Sequence, residues 1–271
     1  MKIATLLSVY IGDNAAALAR ALDSVLDQEL SDEVESHLYL VIDGPVHADV
    51  DRVISDREDR IYHIQRLEHN HGLAAALNSI IKRLGDEEFV FRMDADDYSH
   101  LNRYQTQLDY FKKHSSIDIL GTDIIEVEVG KAAHRRVSFC RGPDDALAKL
   151  CQRVPVAHPT VCFRRHVLDR VGGYPLAGTN EDIALWFHCA QEGFKFDNVS
   201  QPLLDFTVNH DFWQRRSVDK AFSELRCYIT GIWRFHGVTW KYIFPILRFT
   251  LRVSPLWLSR YFYNSSIRNR S

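Results

Sequence analysis

Over the first 93 residues, short apolar runs alternate with amphipathic stretches, and no other feature of the chain restricts its fold as much. Ile3 to Tyr10 reads as a strand, Asn14 as a helix N-cap, and Ala15 to Gln28 as a helix with Leu18, Ala21, Leu22, Val25 and Leu26 on one face. His37 to Ile42 is a second strand, closed by the turn signal Asp43-Gly44-Pro45. A helix over Asp49 to Asp59, a strand over Ile61 to Gln65, a helix over Leu73 to Leu84 and a strand over Phe89 to Met93 complete the series. Strands separated by helices pair in parallel, so the expected class is α/β, a mainly parallel sheet flanked by helices. Ligands of such sheets bind outside the carboxyl ends of the strands. The polar residues at those ends are Ser8 and Tyr10, then Asp43, then Asn70 and Gly72, then Asp94 and Asp96.

The fourth of these ends is the most informative, because Phe89-Val90-Phe91-Arg92-Met93 runs directly into Asp94-Ala95-Asp96-Asp97. In an extended segment Asp94 and Asp96 share a face and Asp97 takes the other. Two carboxylates held side by side repel each other and invite a hard divalent cation; acids here also suit the cap of a helix beginning near His100. Set beside the other three strand ends, they describe a cleft that takes a base and ribose at one end and a metal-bridged diphosphate at the other. Neither GxGxxG nor a P-loop pattern follows the first strand, which argues against a dinucleotide or a P-loop nucleotide.

Farther on, Asn102 to Lys113 reads as a helix and Asp118 to Val129 as a strand pair at an edge. His158-Pro159 opens an extended apolar piece, since a residue before proline is pushed away from helix. Glu181 and Asp182 open an amphipathic helix through Gln191, where acids suit the macrodipole and where one of them has the position of a general base. Phe194 to Val199 and Pro202 to Val208 read as two further strands. The five cysteines form no CxxC pair and read as buried thiols of a reducing compartment. No apolar run reaches the ~18 residues needed to span a bilayer, and the N-terminal Ile3 to Ile11 reads as a strand rather than a signal peptide. A cytoplasmic protein is expected.

The pieces Ser8-Val9-Tyr10, Ile42-Asp43-Gly44, Asn70-x-Gly72 with Asn78, Asp94-Ala95-Asp96-Asp97 and Glu181-Asp182 before Leu185-Trp186 stand in a characteristic order. In this the chain resembles the inverting family 2 glycosyltransferases of the GT-A (Rossmann-like) fold, over roughly residues 1–210. The resemblance implies that Ser8 and Asp43 contact a uracil, Asp94 the ribose, and Asp96 with Asp94 a Mn²⁺ or Mg²⁺ ion on the diphosphate. Tyr10, Asn70 and Gly72 would complete the nucleotide site; Asp182 would be the base, with Glu181 its alternate. One position departs from the pattern: the family's second strand ends in two aspartates, and here the first is Ile42.

His210-Asp211-Phe212-Trp213-Gln214-Arg215-Arg216 resembles a narrower bacterial subgroup that adds a hexose in β1,3 linkage to N-acetylhexosamine on diphospho-undecaprenol. It implies a UDP-sugar donor, a lipid-linked acceptor of O-antigen or capsule synthesis, and acceptor or diphosphate roles for His158, His210, Trp213, Arg215 and Arg216. The domain division that follows is a catalytic unit over 1–210, with a nucleotide-sugar half (1–100) and an acceptor half (101–210), then an extension over 211–271. From Leu225 onward there are eight Arg or Lys and no Asp or Glu, interleaved with Trp233, Trp240, Phe244 and Trp257 and broken by Pro245 and Pro255. Such basic, aromatic, helical segments suit the interface of an anionic membrane, so a peripheral position on the inner face of the cell membrane is expected. Nucleic acid is not expected, because base-stacking aromatics sit on sheet faces and these sit in a proline-broken tail. A sugar nucleotidyltransferase and a non-catalytic nucleotide-sugar-binding protein are the alternatives.

Overall fold

The computed structural model describes residues 1–130, 134–176, 180–208 and 218–254. The N-terminal alternation folds as β1 (Lys2–Val9), α1 (Ala15–Leu26), β2 (Glu35–Ile42), α2 (Ala48–Ser55), β3 (His63–Arg66), α3 (Leu73–Ile81) and β4 (Phe89–Met93). β2 pairs with β3, and β1 with both β2 and β4, all in parallel. Both faces of this half are covered, which is why Ile3, Ala4, Leu6 and Leu7 are all fully buried although they alternate between faces. One face packs Leu77, Phe163 and Trp186; the other packs Leu22, Phe91 and Tyr104.

The chain continues through β5 (Tyr98–Ser99), α4 (Arg103–Lys113), β6 (Ile119–Glu128), β7 (His134–Val137), α5 (Gly142–Lys149), β8 (Cys162–Arg164), α6 (Arg165–Val171), α7 (Glu181–Gln191) and β9 (Phe196–Val208). Together the described residues build one nine-stranded sheet in the order β3-β2-β1-β4-β8-β6-β9-β5, with β7 added to β6. β8 is antiparallel to both β4 and β6, and β9 is parallel to β6, so the second half is mixed.

Four expectations change. β6 lies between β8 and β9 in the interior of the sheet, not at an edge, because these two neighbours come from residues more than 30 positions downstream. The two strands expected over 194–208 are one, β9; Pro202 sits where the register with β6 shifts around Asp123, and an irregularity accommodates the missing N–H. The helix expected to reach Asp59 stops at Ser55 and is followed by a single 3-10 turn, Glu58–Arg60. His158 is not extended but opens the 3-10 turn His158–Thr160.

Two further helices, α8 (Val218–His236) and α9 (Ile243–Val253), pack back on the body. α8 crosses α7 where a Cβ on Gly231 would lie 2.3 Å from the Phe187 ring, so only glycine permits that approach. α9 is fixed to α8 by Glu224, which pairs with Arg248 at 3.0 Å and with Arg252. The Arg248 guanidinium also lies 5.1 Å over the Tyr228 ring. Two arginines of the basic tail are thus turned inward. Among the described residues no helix is long and apolar enough to cross a membrane. Gly231→Val is expected to lower stability by about 1–3 kcal/mol through overpacking against Phe187, measured by chemical denaturation.

Candidate active site

The carboxyl ends of β1, β2 and β4, with the loop after β3, open into one cleft of about 810 Å³. Its lining includes Ser8, Tyr10, Asp43, Asn70, Gly72, Asp94 and Asp96, so all seven strand-end residues read from the sequence come together. The loops carrying them are fastened by Asp43. It is 2% exposed, and its two carboxylate oxygens accept the backbone N–H groups of His71 at 2.8 Å and Gly72 at 2.9 Å. Asn70 donates its side-chain N–H to the Asp43 carbonyl at 3.2 Å. Gly44, at φ +86°, lies so close to this loop that a Cβ would meet the Asn70 nitrogen at 2.7 Å. A carboxylate oxygen accepts more than one hydrogen bond, so the clamp leaves Asp43 capacity for a ligand. Ile42, where the family pattern has an acid, is 2% exposed and belongs to the apolar core beneath.

At the other end of the cleft, β4 stops at Met93 and residues 94–97 form a turn. The turn, rather than strand alternation, separates the acids: Asp94 and Asp96 line the cleft while Asp97 is fully buried. Burial, reinforced by the charges of Asp94 and Asp96, raises the Asp97 carboxyl well above the ordinary aspartate range, and its Oδ1 accepts the Thr207 N–H at 2.8 Å. Asp94 is paired with Arg92, itself 2% exposed. The lining residues not read from the sequence as site residues include Thr207 and Arg20. Thr207, near the end of β9, donates its hydroxyl to the Asp96 carbonyl at 2.5 Å, and Arg20 of α1 donates to that same carbonyl at 3.2 Å.

Glu181 and Asp182 do not line this cleft. They open α7, as its first two residues. Burial raises both carboxyls above their ordinary values. His158 is also outside the cleft lining. Its Nε2 is 2.9 Å from the Tyr174 hydroxyl, its ring meets Trp186 edge-on, and burial together with Arg92 holds its pKa well below 6.5. Asn78 fastens the Tyr174 backbone to α3 in both directions, at 2.7 and 2.8 Å. His210, Trp213, Arg215 and Arg216 lie outside the described residues.

Among the described residues no three His, Cys, Asp or Glu side chains form a metal cage. Asp94 and Asp96 nonetheless fit Mn²⁺ or Mg²⁺, since such ions are held by one or two carboxylates together with substrate phosphates. Both carboxylates line the cleft and carry charge of the sign such an ion neutralises.

Residues 8–172 match Glycosyl transferase family 2. The chain belongs to that family. It is 30% identical over 273 residues to the Escherichia coli UDP-Gal:alpha-D-GlcNAc-diphosphoundecaprenol beta-1,3-galactosyltransferase, spanning 98% of this chain and 97% of that enzyme. It is 28% identical over 226 residues to the amylovoran biosynthesis glycosyltransferase AmsE of Erwinia amylovora, spanning 82% of this chain and 83% of AmsE. Among solved structures, S. aureus TarS 1–349 in complex with UDP superposes with a TM-score of 0.65 at 17% identity, covering 98% of this chain and 73% of that one. The Pyrobaculum calidifontis mannosyltransferase PcManGT, in complex with GDP-Man and Mn²⁺, superposes with a TM-score of 0.61 at 13% identity, covering 97% and 79%. This family 2 glycosyltransferase therefore has the GT-A fold, α/β with helices flanking a curled mixed sheet.

Because Asp43 is the common acceptor for two loop N–H groups, Asp43→Ala leaves both without their partner. It is expected to destabilise the protein by about 1–3 kcal/mol and to raise amide hydrogen exchange at His71 and Gly72 first. Unchanged protection there would mean the loop is held by other contacts.

Proposed function

We propose that this glycosyltransferase moves a hexose, galactose or glucose, from a UDP-sugar to a sugar carried on a diphospho-lipid, with inversion, in the synthesis of a surface polysaccharide. The observation that carries the proposal is the single cleft joining Ser8, Tyr10, Asp43 and Asn70 to Asp94 and Asp96. The near-full-length likeness to an E. coli enzyme named for such a transfer supports the donor and acceptor classes. On this reading Ser8 and Asp43 receive the uracil, Asp94 the ribose, and Asp96 with Asp94 hold Mn²⁺ or Mg²⁺. The bound ion supplies positive charge against the departing diphosphate. Residues 1–100 then serve the donor and 101–210 the acceptor.

Asp182 is the base, with Glu181 its alternate. Its carboxylate takes the proton of the acceptor hydroxyl as that oxygen bonds to the anomeric carbon; the bond from that carbon to the diphosphate breaks, and its electron pair leaves with UDP. Burial raises the pKa of Asp182, so protonation disables the base at a higher pH than for an exposed aspartate, and activity falls as pH drops through that raised value. Asp182→Asn is expected to leave UDP affinity unchanged and to lower kcat by about two to four orders of magnitude, with loss of the acidic limb of the pH profile. Full activity in Asp182→Asn, with loss in Glu181→Gln, would transfer the role to Glu181.

The protein sits peripherally on the cytoplasmic face of a membrane through α8 and α9. Supporting this, α9 carries its polarity inside out: Ile243, Ile246, Leu247 and Val253 recur at helical spacing on its exposed side, while Arg248 and Arg252 face Glu224. Trp233, Val238 and Trp240 are 60, 89 and 71% exposed nearby in sequence, and Arg226 and Arg234 are exposed beside them. Aromatic and apolar side chains with flanking cations suit the interfacial zone. The protein is expected to float with anionic liposomes at low salt, and Trp240→Ala with Leu247→Glu to abolish flotation; a wild-type protein that stays at the bottom of the gradient would refute the assignment.

A further inference from the structure

The basic residues that line the cleft bear on how it holds a diphosphate. Asp13, Asp43, Asp94 and Asp96 line it, and of its described lining residues Arg20 alone is basic. A nucleoside diphosphate brings further negative charge beside Asp94 and Asp96. Arg92 does not relieve this from within the cleft, because it is buried beneath and engaged with Asp94.

Arg20 is placed to contribute. It follows Ala16 and Ala17 on α1, two small residues that also line the cleft and keep that wall low. Its hydrogen bonds among the described residues both come from Nη2: one to the Asp96 carbonyl at 3.2 Å, the other to Thr207 Oγ1 at 3.1 Å. Guanidinium has five N–H donors in a planar fork, so anchoring Nη2 leaves Nε and Nη1 to donate elsewhere. The anchor also fixes the fork next to the turn that carries Asp96, which removes much of the rotamer entropy a free arginine loses on binding. Each remaining N–H offers a charge-assisted hydrogen bond to a phosphoryl oxygen.

We propose that Arg20 is a diphosphate-binding residue, donating from its unanchored Nε or Nη1 to a phosphoryl oxygen beside the carboxylate of Asp96. The inference rests on the nucleotide-donor reading above and adds to it the residue that shares the charge of the departing diphosphate.

Calorimetry with UDP and with uridine, on wild type, Arg20→Gln and Arg20→Lys, each in Mn²⁺ and in EDTA, tests it. Hydrogen bonds to charged groups are worth about 1.5–3 kcal/mol, so Arg20→Gln is expected to weaken UDP binding by about tenfold or more. Uridine binding is expected to be unaltered, and Arg20→Lys to fall between, which also serves if the glutamine variant folds poorly. The same ratio in EDTA is expected; a ratio that collapses to one there means Arg20 only holds the Asp96 turn, and overturns the proposal. Equal losses for UDP and uridine overturn it as well. If UDP binding is unchanged but the KM for a synthetic diphospho-lipid acceptor rises about tenfold, the diphosphate held is the acceptor's. No change in either overturns the proposal, whereas a wild-type protein that binds no UDP overturns the donor reading itself.

Discussion

The site depends on one buried carboxyl. Asp97 has no exposure, and burial beside Asp94 and Asp96 favours its neutral form. In that form it can sit under the turn without adding a third charge, and its Oδ1 takes the Thr207 N–H. The Thr207 hydroxyl closes on the Asp96 carbonyl, and one residue beyond the turn β5 pairs with β9 at Asp205 and Leu204. The end of β4, which belongs to the parallel half, is thereby tied to the far end of the last strand. Asp94 and Asp96 owe their positions to this joint between halves as much as to β4.

The same half-to-half seam is held by polar groups that an apolar core would not need. Arg103 is fully buried and donates to the Arg92 carbonyl at 3.0 Å and to Gln107 Oε1 at 3.0 Å. Gln107 in turn donates to the carbonyls of Leu120 and Thr160 at 2.9 and 3.0 Å. These bonds satisfy carbonyls where parallel pairing gives way to antiparallel, between β4, β8 and β6. Buried polar groups of this kind specify one arrangement, because a shifted strand would leave several of them unpaired at about 1–3 kcal/mol each.

What the sequence made legible is what local physics controls. The first four strands and their helices follow from periodicity, and Asp43, Asp94 and Asp96 from their place at strand ends, because βαβ connections deliver those ends to one side. Arg20 escaped notice because it is one charged residue on a helix face, and its partner Thr207 is 187 residues away. β6 looked like an edge for a similar reason: its neighbour β9 is parallel and arrives only after α7. Residues 194–199 and 202–208 were read as two strands, yet β9 runs through Pro202, where a register shift accommodates a residue that cannot donate to the ladder. The tail's cations were read as meeting an anionic membrane, and only packing reveals that Glu224, just before the acid-free stretch begins, receives two of them.

That packing also changes what the extension is. α8 touches the start of α7 at Asn180, which donates to Ser223 Oγ at 2.9 Å and accepts from Cys227 Sγ at 3.6 Å. Asn180 directly precedes Glu181 and Asp182, and the Gly231 contact with Phe187 holds the same two helices together farther along. A detachable anchor would meet the body through a linker, whereas here the helix pair bearing the exposed apolar surface buttresses the segment bearing the proposed base. On the proposed reading, membrane contact and proton transfer would reside in one continuous packed unit. On that reading, a lipid-linked acceptor approaching from the bilayer would meet a base whose position relative to the α9 surface is set by side-chain packing, and the depth of the protein in the interface and the reach required of the acceptor sugar would be fixed together.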